Sequence, residues 1–159
     1  MEPKITFLTN DSVKIVKKPW GWEKWLADGY PEFNYALKEI FFKAPHRTSL
    51  QFHTKKEETE YFIKGRGRFH YSDIPIDINK YENKNYTEQE INELKKNLKT
   101  KEIFPGMVIH VKRGCIHRVE AIEDLTMIEA STIELDDVIR LEDDAGRLNG
   151  IISGEHKID

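Results

Sequence analysis

The 159-residue chain has one cysteine, Cys115, no long apolar run and no surplus of either charge. Each absence excludes something. A single cysteine rules out an intrachain disulfide and a cysteine-rich zinc site, so stability must come from packing and any bound ligand. Uninterrupted apolar runs reach only a few residues, far from the roughly 18 needed to span a bilayer. Against 28 acidic residues stand 25 Lys and Arg, a net charge of −3, which offers no electrostatic footprint for nucleic acid or an acidic membrane surface. A local basic pocket stays open. Met1-Glu2-Pro3-Lys4 lacks the basic-then-apolar order of a signal peptide, so the expected location is cytoplasmic.

What is present reads as one folded domain over 1–159. Aromatic content of 11% is too high for a disordered chain, and the length fits a single core. Short aromatic or β-branched runs at 36–43, 49–53, 60–64, 66–71, 107–111, 116–121 and 125–131 recur at the spacing of an all-β fold. Lys64-Gly65-Arg66-Gly67 predicts a tight hairpin turn and Phe104-Pro105-Gly106 a second turn. The Trp-rich stretch Lys17-Lys18-Pro19-Trp20-Gly21-Trp22-Glu23-Lys24-Trp25-Leu26 reads as a rigid lid or edge segment rather than a periodic element. Residues 72–101, rich in Asn, Lys and Glu, form an insertion with one helix. That helix is started by a Thr87/Glu90 capping box and carries a stripe of Ile91, Leu94 and Leu98. Residues 150–159 are expected to be a loose tail.

The chemistry-bearing block runs from Arg47 to Gly65. Gln51 and His53 alternate onto one face of a strand, and after a short turn Glu58 opens the next. About sixty residues on, Gly114-Cys115-Ile116-His117 sets a second histidine after a glycine turn. An amide oxygen, a carboxylate and two imidazoles form an N/O donor set suited to a divalent ion. Zinc is preferred, with Fe, Mn or Ni as alternatives.

The spacing of His53, Glu58 and Gly65, followed by Gly106, Gly114 and His117, resembles the two motifs of the cupin superfamily. The resemblance implies a double-stranded β-helix, a jelly-roll barrel with the metal in its mouth, plus the helical insertion. Ser49-Leu50-Gln51-Phe52-His53 is similar to the cupin domain of mannose-6-phosphate isomerases, including the type II enzymes. Lys18-Pro19-Trp20-Gly21 and the stretch from Leu135 to Arg147 look like that family's flanking segments. Lys55, Lys112 and Ala145 depart from its pattern.

That resemblance implies a sugar or sugar phosphate as the small-molecule partner and aldose–ketose isomerisation as the activity. The alternatives are an iron-dependent oxygenase and a non-catalytic sugar or sugar-nucleotide binding module. Glu60 shares Glu58's strand face and reads equally as general base or as a solvated carboxylate. Arg47 and Arg140 read as oxyanion clamps, with ion pairing to Asp136-Asp137 or Glu142-Asp143-Asp144 as the plainer account. Of the remaining histidines, His110 reads as an acid/base or an ordinary packed residue, His70 stays open, and His46 and His156 read as exposed. Cys115 reads as a small packed residue. Trp20, Trp22 and Trp25 are structural, one of them lining the mouth. The edges of a small barrel and the aromatic N-terminal segment predict a homodimer.

Overall fold

The computed structural model describes residues 2–152 and 156. Two six-stranded antiparallel sheets face one another as a jelly-roll barrel, as the all-β reading expects. The first runs β1(Lys14–Lys18), β2(Gly21–Asp28), β3(Ala36–Phe42), β10(Leu125–Ser131), β5(Glu58–Lys64), β8(Val108–Val111). The second runs β12(Gly150–Ile151), β11(Ile139–Glu142), β4(Leu50–Phe52), β9(His117–Ala121), β6(Gly67–Tyr71), β7(Lys99–Ile103). We call them the first and second sheets.

The Trp-rich segment is not a lid. It is the hairpin β1–β2, with Trp22 opposite Lys17 and Trp25 opposite Lys14. Alternation was present but masked by Pro19 and Gly21 at its turn, and Trp20 and Trp25 are buried by it. The chain turns at Gly65, but not in the expected hairpin: β5 and β6 lie in different sheets and do not pair. Gly65 has φ +87°, and a Cβ there would lie 2.1 Å from the Asp124 carbonyl oxygen, so only glycine fits.

The insertion carries two helices rather than one, α1(Ile78–Glu82) and α2(Glu88–Lys96), and its end is already strand β7. Asp77 caps α1 through Lys80 N–H, a start signal that five residues of helix are too short to reinforce by periodicity. At α2 the capping box is complete: Glu90 N–H donates to Thr87 Oγ1 at 3.1 Å and Thr87 N–H to Glu90 Oε2 at 2.8 Å. Ile91, Leu94 and Leu98 then join Tyr81 and Tyr86 over Leu50, Phe52, Ile116 and Ile139. The insertion therefore covers the outer face of the second sheet, while among the described residues no helix packs on that of the first.

The expected loose tail holds only in part. Gly150 and Ile151 pair with β11 and Ile152 is buried; residues 153–155 and 157–159 lie outside the described residues. His156 is not solvent-exposed as read, but packs edge-on to Trp25 at 5.0 Å and bonds Asp136 at 2.7 Å. Among the described residues no helix is long and apolar enough to cross a membrane.

Candidate metal centre

Strand β4 ends at Phe52, and the chain turns through residues 54–56 before β5 begins at Glu58. One distant carboxylate pins that turn. Asp137 accepts from the Thr54, Lys55 and Lys56 N–H groups at 3.1, 2.5 and 2.7 Å and from Thr54 Oγ1 at 2.8 Å. Burial raises its carboxyl pKa, but these donors outweigh that and hold it below the usual range. The Asp137 backbone oxygen also accepts from His53 Nδ1 at 2.6 Å.

A carbonyl oxygen can only accept, so His53 carries its proton on Nδ1 and turns a bare Nε2 lone pair inward. The same holds for His117, whose Nδ1 donates to the Cys115 carbonyl at 2.9 Å. Both Nε2 atoms converge on Glu58 Oε1, at 3.5 Å from His53 and 3.3 Å from His117. His53 Nε2 is buried with no hydrogen-bond partner. Two tautomer-locked imidazoles aimed at one carboxylate oxygen are the arrangement metal ligands adopt, and the donor set fits a divalent cation.

Gly114 brings the two motifs together. Its N–H donates to the His53 carbonyl at 2.8 Å, and its carbonyl accepts from Ile76 N–H at 2.8 Å. With φ +78° and Ile76 O 2.7 Å from a would-be Cβ, the position admits no side chain without strain.

Gln51 stands opposite His117 across β4 and β9, with Arg140 opposite Gln51 on β11. The three form one row on the second sheet. Gln51 Oε1 accepts from Ser49 Oγ at 2.8 Å, and its side chain lines the same cavity of about 70 Å³ as Glu58 and His117. Gln51 thus adjoins the three convergent ligands.

The opposing row on the first sheet is charged, and the sequence reading named only part of it. Lys38, Glu129 and Glu60 stand directly opposite one another on β3, β10 and β5, all buried. Lys56, also buried, bridges Glu58 Oε2 at 2.6 Å and Glu129 Oε1 at 3.0 Å. Glu23 bonds Lys38 at 2.9 Å, with Lys18 at 3.6 Å. Burial pushes the Glu58 carboxyl up, yet the Lys56 ammonium beside it holds it well below the usual range. Burial and the charges of Glu58 and Glu129 push Glu60 well above it, against Lys56. Lys56 and Glu129 carried no spacing signal; only the inward alternation of β5 and β10 could have revealed them.

Arg140 is buried and lines the cavity, donating to the Leu148 carbonyl at 3.1 Å. Arg47 does not reach it. Its guanidinium grips Asp144 with two bonds, 2.5 and 3.0 Å, on the surface. The plainer ion-pair reading holds there because the strand reaching Leu50 begins only after Arg47 has bridged to Glu120. His110 bonds Thr59 and faces outward, and His70 sits between Thr100 and Glu120. Trp20 is the tryptophan lining the cavity.

No protein-family model and no curated protein matches the chain. Solved structures do. Ectoine synthase from P. lautus superposes with a TM-score of 0.61 at 14% identity, over 82% of this chain and 80% of its own. The chain has the cupin fold. Two further cupin-fold neighbours are KdgF from Halomonas sp. and the capsular polysaccharide assembling protein CapF from Staphylococcus aureus. KdgF has a TM-score of 0.58 at 14% identity, over 83% of this chain and 98% of its own. For CapF the TM-score is 0.57 at 14% identity over 82% of this chain, which spans about a third, 32%, of CapF. Identities this low carry the cupin architecture and leave the reaction to the site.

Proposed function

We propose that this cupin binds one divalent ion through His53, Glu58, His117 and Gln51 and isomerises a sugar or sugar phosphate between aldose and ketose forms. Zinc is the first choice of ion for the N/O donor set, with Fe, Mn and Ni as alternatives. The observation that carries the reading is the pair of locked tautomers, with the Nε2 of His53 lacking any partner. The ion, when bound, supplies Lewis acidity at the sugar's carbonyl and neighbouring hydroxyl oxygens.

The chain's own residues do the rest. Lys56 engages Glu58 Oε2 and leaves Oε1 to the metal site. Glu60, its carboxyl pushed up from the usual range, is suited to take a proton from one carbon and return it to the next. Isomerisation moves that proton within the substrate, so no oxidant or reductant is required. Arg140 stands at the cavity wall as an oxyanion partner. Likeness to CapF, a capsular polysaccharide assembling protein, supports the substrate class.

Elemental analysis of the purified protein, followed by a sugar-phosphate isomerisation panel, tests this. One equivalent of metal and an activity abolished by chelation and by His117→Ala are expected. Full activity in metal-free protein would contradict it. The cavity of about 70 Å³ is small beside the roughly 300–1,000 Å³ of ordinary ligand pockets, and this favours a second reading. In that reading an iron form activates dioxygen on a small substrate, visible as oxygen consumption with iron loaded. Binding of sugar phosphates without conversion would instead mark a binding module.

A further inference from the structure

Sheet edges expose unpaired backbone, and three of the four edges in this barrel are guarded. Strand β1 reads Lys-Ile-Val-Lys-Lys, β7 reads Lys-Thr-Lys-Glu-Ile, and β12 has only two residues. Strand β8 reads Val-Ile-His-Val and carries no fixed charge. Phe62 N–H donates to the Met107 carbonyl at 3.0 Å, and the ladder continues two residues on with Glu60 opposite Ile109. Ile109 therefore turns its backbone groups toward β5, while those of Val108 and His110 face the open side. Among the described residues no strand pairs with that side.

Behind this edge, between β8 and the strands β6 and β7, lies a slot of about 330 Å³. Phe69, Tyr71, Met107, Ile109, Cys115 and His117 line it. It is mostly apolar, and His117 belongs to both this slot and the metal cavity.

The chain also holds a segment that would fit such an edge. Lys4-Ile5-Thr6-Phe7-Leu8-Thr9 is rich in strand-forming residues and belongs to no strand. Ile5, Phe7 and Leu8 are 85%, 91% and 58% exposed, although all three are apolar. The segment cannot lie along its own β8. It leaves the first sheet at β1, five inter-strand steps away, or about 24 Å. Back from Lys14, fixed opposite Trp25, the chain to Thr9 spans at most about 17 Å, and the 3₁₀ turn Asn10–Ser12 shortens it.

We propose that residues 4–9 of one copy add as a strand to β8 of a second copy, in a mutual exchange that closes a homodimer. Main-chain bonds to Val108 and His110 give the affinity, and apolar side chains of the arm enter the slot. A two-fold exchange satisfies both bare edges at once and leaves none for further growth. The incoming arm shields the His117 side of the metal cavity from water, so the second copy contributes to the site's surroundings.

Sedimentation of the full chain over a concentration series tests the proposal. A dimer is expected for the wild type and for Val108→Thr. A monomer, or at least a tenfold weaker dimer, is expected on removing residues 2–9 and for Val108→Pro. Proline is tolerated at the first position of an edge strand, and the N–H it removes makes no bond within the monomer. Should Val108→Pro lose its fold by circular dichroism, Phe7→Asp, at a 91% exposed position, carries the same test. A wild type that sediments as a monomer throughout, or a dimer untouched by arm removal and by the substitutions, overturns it.

Discussion

Three neighbouring strands carry both the core and the site, and the boundary between them crosses all three at one level. Inward from one end, β3 presents Phe42 and Ile40, then Lys38; β10 presents Leu125 and Met127, then Glu129; β5 presents Phe62, then Glu60 and Glu58. One half of the barrel interior is hydrocarbon and the other half is charge. The apolar half, with Trp20, Phe69, Ile103 and Val119, stabilises the fold by burial. The charged half does not earn its place that way, because buried ion pairs seldom out-stabilise hydrophobic packing of equal volume. Lys18, Glu23, Lys38, Lys56, Glu58, Glu60 and Glu129 instead line the cavity beside His117.

The sharpest test of that division compares a truncation in each half. Phe62→Ala empties the apolar half and should lower unfolding free energy by about 3–5 kcal/mol at any pH, measured by urea unfolding. Lys56→Met leaves Glu58 and Glu129 without their cation and should cost about 3 kcal/mol near neutrality. That loss should shrink as pH falls, since the stranded carboxylates take up protons. A pH-independent Lys56→Met loss would erase the distinction between the halves. Asp137→Ala frees the turn that holds His53 and should weaken metal binding about 10–100-fold by competition with a chelator, with less effect on folding.

The smallest expected effect lies at the rim of the charged half. Burial, then the charges of Lys18 and Lys38, lower His156 from 6.5 to about 4. It is neutral in the fold, and unfolding between those values takes up a proton. Its contribution is present above pH 6.5 and is lost as pH falls toward 4, about 1–2 kcal/mol once partial exposure is allowed for. His156→Phe should flatten the urea midpoint across that window.

The convergence of His53, Glu58 and His117 was legible because its geometry is local: a short turn between β4 and β5 and a glycine before β9 bring the donors together. The helix at Glu88–Lys96 was legible for the same reason, its cap and stripe being written within a dozen residues. What was not legible depends on other strands. Asp137 lies over eighty positions from the amides it accepts from, with no spacing rule to connect them. Arg47 shows the converse, a side chain whose acidic partner lay in plain sight at Asp144.

Gly114 ties residue 53 to residue 76 through its own N–H and carbonyl, groups of two successive peptide units. His53 and Glu58 lie five residues apart, but His117 follows only after the insertion, a closure of long sequence separation. A cation meeting the unfinished chain finds one imidazole and one carboxylate; meeting the closed barrel, it finds both imidazoles. Under the proposed function, the ion would be loaded late in folding and would hold the seam that closes last.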